Sequence, residues 1–212
     1  MTRIYLFKRF ERFWHWTQAA LIILLLFTGF EIHGSYAALG WEKAVHLHST
    51  ALWALIGLWV FAIFWHFTTG EWKQYIPTGD KFLAVLRYYA FGIFANESHP
   101  FHTTAAKKHN PVQRVAYLGV KLLINTLLWG SGLLYLFHHE LAASNVAFLA
   151  SLDLGIVAAL HTAGAFMMLI FLILHVYLAT AGHTVTAKIR SMITGWEDMH
   201  DEPAVDASPK RT

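Results

Sequence analysis

Four apolar runs limit what this chain can fold into, because about 20 helical residues are enough to cross the hydrocarbon of a bilayer. They lie at roughly 13–32, 47–67, 115–137 and 155–181, and none has an interior proline. In lipid, every backbone N–H and C=O must be paired within the protein, which leaves helices or closed barrels. The runs lack the short period-2 alternation of barrel strands. The chain is therefore expected to be all-α, an integral membrane four-helix bundle. Its composition agrees. Of 212 residues, 56% are hydrophobic and only 14% charged, against about 25% charged in soluble domains. Cysteine is absent, which excludes thiolate-held iron–sulfur clusters, cysteine zinc sites and disulfides. The net charge of +3 comes from basic residues scattered between apolar runs, which is no nucleic-acid patch. The basic and then apolar N-terminus imitates a secretory leader, but the run is long and continues into a multi-spanning chain.

Lys and Arg outside the spans set the expected orientation. The N-terminal arm carries Arg3, Lys8, Arg9 and Arg12, and the middle loop carries Lys73, Lys81, Arg87, Lys107, Lys108 and Arg114. The C-terminal segment adds Lys188, Arg190, Lys210 and Arg211. The first loop has only Lys43, and the third, 138–154, has none. Both termini and the middle loop are thus expected in the cytoplasm of a multi-pass protein of the bacterial inner membrane. Residues 80–94 read as an amphipathic helix on the cytoplasmic interface, between spans two and three. Residues 1–197 form the four-helix domain, and 198–212 a polar, disordered cytoplasmic tail. Neither helix pair recognisably repeats the other.

Histidine is the anomaly, with fourteen copies, several inside apolar runs. Ionisable groups in a membrane are costly and mark function. His161 and His175 are fourteen residues apart in span four, which places them within about 40° of one face and roughly 21 Å apart along the axis. Two imidazoles stacked near opposite leaflets suit two haems, since an imidazole nitrogen is a good axial ligand. Topology supplies the partners. His15, at the start of rising span one, lies at the depth of His175; His48, at the start of descending span two, lies at the depth of His161. His46 competes with His48 within the sequence HLHS. His66 reads as an interfacial or quinone-site residue. His33, His138 and His139 in external loops, with His99, His102, His109 and His200 in cytoplasmic ones, read mostly as solvated. Gly29, Gly57, Gly130, Gly132 and Gly164 are candidates for letting porphyrins approach the backbone.

With these features in place, the chain resembles the di-haem cytochrome b subunits of membrane-bound formate dehydrogenase, nickel–iron hydrogenase and thiosulfate reductase. The resemblance rests on R-F-x-H-W at Arg12–Trp16, the histidine pair of span four, K-x-N-P-x-Q-R at Lys108–Arg114 and I-T-G-W at Ile193–Trp196. It covers about residues 10–197. It implies the two ligand pairs above and a quinone site on the cytoplasmic side, contacted by the position matching Asn110. The competing role for Asn110, followed by Pro111, is to cap span three. His109 and His66 are candidate proton relays to that site, because imidazole titrates near physiological pH. Arg12, Lys108 and Arg114 are candidates to pair with haem propionates or the quinone pocket, and read equally as topology charges.

The expected function is a membrane-anchoring electron-transfer subunit with two b haems. It would link an external redox partner (iron–sulfur, hydrogenase, molybdoenzyme or multihaem subunit) to the quinone pool, menaquinone or ubiquinone. The alternatives are a stand-alone quinol-oxidising cytochrome b and a haem-free transporter or sensor.

Overall fold

The computed structural model describes residues 2–95, 97–101, 103–104, 107–143, 151, 153–180 and 184–199. Four helices have the length and composition to cross a membrane: Arg9–Ile32, Trp41–Thr69, Pro111–Leu136 and Leu154–Thr180. Each expected span is present. The starts move towards the N-terminus for local reasons. Span one begins at Arg9 because the Lys8 N–H donates to Glu11 Oε2 at 2.7 Å, closing a capping box. Span two begins at Trp41, where the loop is pinned by Glu31: its Oε1 accepts the backbone N–H groups of Ala38, Leu39 and Gly40 at 2.8, 2.6 and 2.8 Å. Span four starts behind Asp153, whose Oδ1 accepts from Gly155 N at 2.7 Å, as an N-cap does.

Span three contains a π-helical stretch at Val120–Ile124, an irregularity that frequently marks functional sites. Nothing in the apolar pattern announces it. Between spans two and three, a 3-10 turn at Glu71–Tyr75 precedes the helix Phe82–Arg87, which continues through a π turn to Gly92. This is the helix expected over 80–94. Val85 is fully buried beneath it, while Leu83 and Phe91 are 76% and 71% exposed, the two faces of an interfacial helix. Ala181 of the expected fourth span, His102, His200 and the tail from residue 200 lie outside the described residues.

The spans pack as two hairpins, one with two and three with four, and contact between span one and span four is slight. Burial runs opposite to that of a soluble protein. Thr28, Glu31, Asn125 and Ser131 are buried, while Phe61, Phe64, Leu122 and Ile170 are largely exposed. That pattern presents apolar surface to lipid and keeps polar groups inside.

Among the described residues, the N-terminal arm, the middle loop and the segment after span four gather at one end of the bundle, where Lys8 pairs with Glu71, Lys108 with Glu11 and Arg3 with Asp198. Strand β1 (Thr2–Tyr5) pairs antiparallel with β2 (Trp196–Met199), so the two described ends of the chain meet. Asp198 and Met199, the first two residues of the expected tail, belong to β2. Gly195, between the helix Ala187–Thr194 and β2, has φ +87°. A Cβ there would lie 2.7 Å from Phe7 O and 2.7 Å from the Tyr5 ring. Only glycine fits this turn, and its carbonyl accepts from Leu6 N at 2.8 Å.

Candidate functional site

Two pairs of histidines face each other across the hairpins. His48 and His161 have ring centroids 6.2 Å apart, and His15 and His175 have theirs 6.1 Å apart. Both pairs are those deduced from topology. Within HLHS it is His48 that meets His161, while His46 is exposed. An imidazole nitrogen sits about 2 Å from a bound metal, and the ring centre lies roughly 1.1 Å behind it. Two imidazoles on opposite sides of one ion therefore put their centroids about 6.2 Å apart. Both pairs have that spacing, so the residues fit two bis-histidine haems.

The pair remote from the basic end is the more elaborately held. His48 Nδ1 is 2.9 Å from Thr28 Oγ1, and His161 Nδ1 is 3.1 Å from Ser131 Oγ. Gly29 and Gly132 close against the rings of His48 and His161, and Gly164 against Leu128, whereas Gly57 and Gly130 face open space. At the first three a Cβ would lie 3.0–3.3 Å from the neighbouring side chain.

At the basic end the ionisable residues form a buried layer. Lys108 Nζ lies 2.8 and 2.9 Å from the two oxygens of Glu11 and 2.9 Å from Glu71 Oε2. Lys8 Nζ holds the other Glu71 oxygen at 2.6 Å. Burial pushes the Glu71 carboxyl up, but the hydrogen bonds from Lys108 and Lys8 outweigh it and hold it below the usual carboxylate range. Arg114 donates from Nε to His109 O at 3.0 Å and from Nη1 to Ile76 O at 3.1 Å. Arg12 donates to Ile193 O at 2.5 Å, and Trp16 Nε1 to Met192 O at 3.1 Å. These three cations, expected to be propionate or quinone partners, thus have structural partners within the chain. Arg12 keeps a buried Nε with no partner.

Asn110 is the N-cap of span three. Its Oδ1 accepts from Gln113 N at 2.9 Å, and Gln113 Oε1 accepts from Asn110 N at 3.0 Å. Its amide also donates to Tyr89 Oη at 2.9 Å. His109 is packed against Tyr75 and Tyr117, each with a centroid 5.2 Å away. Burial, then the charges of Lys108, Arg114 and Lys121, push His109 down to about 3 from 6.5. Burial thus disfavours its charged form, which weighs against a relay that depends on titration near neutral pH. His99 is likewise not simply solvated: it packs on Tyr88 at 4.6 Å and bonds Phe101 O at 2.8 Å.

The sign of the His109 effect follows from linkage. The unfolded imidazole takes a proton below about 6.5, whereas the folded one resists until about 3. Stability should therefore fall as pH drops through that window, by about 1.4 kcal/mol per unit. His109→Phe, measured by thermal unfolding in detergent between pH 7 and 4, should show a shallower decline than the parent protein. Superimposable acid profiles would contradict this.

His66 lies between Trp14 and Tyr75, with centroids 5.1 and 5.5 Å away. Its Nδ1 is 2.6 Å from Ala62 O, and a carbonyl only accepts, so Nδ1 carries the proton and Nε2 is an acceptor. That Nε2 and the Trp14 Nε1 donor are buried without partners. Sequence reasoning missed Trp14, Tyr75, Thr28, Ser131, Glu11 and Glu71. Only Glu11, a carboxylate at the mouth of a membrane helix, carried a usable signal.

A four-helix membrane bundle with two facing imidazole pairs has the build of a b-type cytochrome. The chain belongs to the prokaryotic cytochrome b561 family, whose profile matches residues 6–195. It is also 31% identical over 202 residues to an Escherichia coli (strain K12) protein described as "Putative cytochrome YdhU", covering 92% of this chain and 74% of that one. No solved structure matches it. The family is one of bacterial membrane b-type cytochromes that act in electron transfer, and it implies haem b.

Proposed function

We propose that this protein is the membrane-anchoring electron-transfer subunit of a quinone-linked oxidoreductase of the bacterial inner membrane. Its two b haems carry electrons between an external redox partner and the quinone pool. The observation that supports this most is the pair of imidazole sandwiches, each at ligand spacing and on opposite levels of the bundle. The basic end faces the cytoplasm by the positive-inside rule. His48 and His161 hold the external haem, and His15 and His175 the cytoplasmic one. The residues hold and orient these groups and exclude water, while the one-electron chemistry belongs to the haem iron. A reduced-minus-oxidised spectrum with a haem count tests this: two low-spin b haems per chain are expected, and one or none would overturn it.

The quinone headgroup site belongs at the cytoplasmic end, beside His15. The Trp14 donor and the His66 acceptor are an unpaired, complementary couple on adjoining rings, suited to a quinone carbonyl and a quinol hydroxyl. Asn110 caps its helix and still has one amide hydrogen beyond the Tyr89 bond, so it belongs to the same proposal, with His109 as a neutral wall. Trp14→Phe and His66→Phe should each weaken binding of a quinone analogue about tenfold, the worth of one hydrogen bond, with both haems retained. Unchanged affinity and unchanged haem oxidation in both variants and in Asn110→Ala would move the quinone elsewhere.

A further inference from the structure

Thr28 and Ser131 sit at equivalent places in the two hairpins, although the hairpins share no recognisable sequence repeat. Each is followed by a glycine, Gly29 and Gly132. Each bonds the Nδ1 of the histidine on the other helix of its own hairpin. In both cases a Cβ on the following glycine would press on the histidine's Cε1, at 3.3 Å for Gly29 and 3.0 Å for Gly132. A hydroxyl–glycine dipeptide thus forms the seat of a histidine ring twice. The glycine fixes where the ring edge lies, and the hydroxyl fixes its rotation.

The direction of the hydrogen bond can be worked out. Thr28 Oγ1 is 2.8 Å from Leu24 O, and Ser131 Oγ is 2.5 Å from Leu127 O. Each hydroxyl has one proton, and a carbonyl can only accept, so that proton is spent on the preceding turn of its own helix. What the hydroxyl offers the imidazole is a lone pair. His161 gives a second reading of the same fact: its Nδ1 is also 3.2 Å from Leu128 O, and this acceptor again requires a proton on Nδ1. Both histidines therefore carry their proton on Nδ1 and have Nε2 bare. The other pair is built differently. Among the described residues no hydroxyl bonds His15 or His175, and His15 Nδ1 is buried without a partner.

We propose that Thr28 and Ser131 are positioning residues that fix the ligating tautomer of His48 and His161 and lower the midpoint potential of the haem those histidines hold. This rests on His48 and His161 being its axial ligands. An acceptor on Nδ1–H draws the proton outward and makes Nε2 a stronger donor, and a stronger axial donor stabilises ferric over ferrous iron. Two such bonds act on one haem and, among the described residues, none on the other, so the two haems differ in potential partly through four small residues that never touch iron.

The test compares Thr28→Val and Ser131→Ala with the hydroxyl-retaining Thr28→Ser and Ser131→Thr in the purified, haem-loaded protein. Potentiometric titration of the α bands and low-temperature EPR are the readouts. The external haem is identified as the component missing from His161→Ala. Its potential should shift upwards in Thr28→Val and Ser131→Ala and further in the double variant, with a changed EPR signal. The cytoplasmic haem should stay put, and the hydroxyl-retaining variants should match the parent. Selective loss of the external haem on removing the hydroxyls, with retention in Thr28→Ser and Ser131→Thr, also supports the proposal. Should Thr28→Val fail to assemble, Ser131→Ala, the smaller change, decides. Unchanged potentials and EPR in the double variant would overturn it, as would a shift in Thr28→Ser equal to that in Thr28→Val. A haem count of two in His161→Ala would instead sink the ligand assignment itself, and this proposal with it.

Discussion

Replacing His48 or His161 with alanine should cut the haem content from two per chain to one, and replacing His15 or His175 should remove the other haem instead. The two pairs are independent in space. His161 and His175 are separated by fourteen residues of unbroken helix, roughly 21 Å, and each pairs with a different helix start. A haem left with one axial histidine loses its low-spin character and most of its hold, because no cysteine exists for covalent attachment. The surviving haem keeps both of its ligands. Pyridine haemochrome counting and the split of the α band measure the outcome. Each single variant should resemble its partner variant and differ from the opposite pair. His46→Ala should keep both haems, since its exposed ring faces away from this centre. If His46→Ala lost a haem and His48→Ala did not, the geometry described here would be wrong at span two.

The second large effect is expected at Lys108. Its side chain is 5% exposed, and the carboxylates of Glu11 and Glu71 around it are 6% and 12% exposed. Lys108→Met would leave the Glu11 carboxylate buried with no cation, and breaking a buried pair from one side costs about 3–5 kcal/mol. For a chain of this size that is a fall in melting temperature on the order of 10 °C. Adding Glu11→Gln should restore most of the loss, because Glu71 still has Lys8 at 2.6 Å. Acid should narrow the gap. A depressed carboxylate contributes stability above its unfolded value and loses it as pH falls through the folded one. Glu71 is depressed by its lysines, so the parent protein has more to lose on acidification than Lys108→Met. Equal melting temperatures for parent and variant at neutral pH would show that the layer is hydrated and of little consequence.

The long-range pattern of this fold was legible because the membrane simplifies the problem. Apolar length gives the spans, and two histidines on one face of span four need partners at matched depth. The depth argument found His15 and favoured His48 over His46; in the structure His48 meets His161 and His46 is exposed. Less legible was anything that depends on which side chain reaches which carbonyl. Arg12, Lys108 and Arg114 read equally as partners of an anionic ligand and as topology charges; the loops fold back so that carboxylates and backbone oxygens take them. His109 looked titratable because sequence shows composition, not desolvation. Thr28 and Ser131 were invisible, since a hydroxyl in a membrane helix ordinarily bonds its own preceding turn, and both of these do so as well. Their second contact exists only in three dimensions.

The clasp around His15 bears on how the protein is made. Arg12 and Trp16 flank that ligand and are held by the carbonyls of Ile193 and Met192, while the strand before them pairs with residues 196–199. The N-terminal partners of this clasp leave the ribosome about 180 residues before their mates. The seats of His48 and His161 need only their own hairpins. Assembly therefore has a built-in order: the rings of His48 and His161 are each seated as their own hairpin closes, whereas the surroundings of His15 are complete only when synthesis reaches the closing strand.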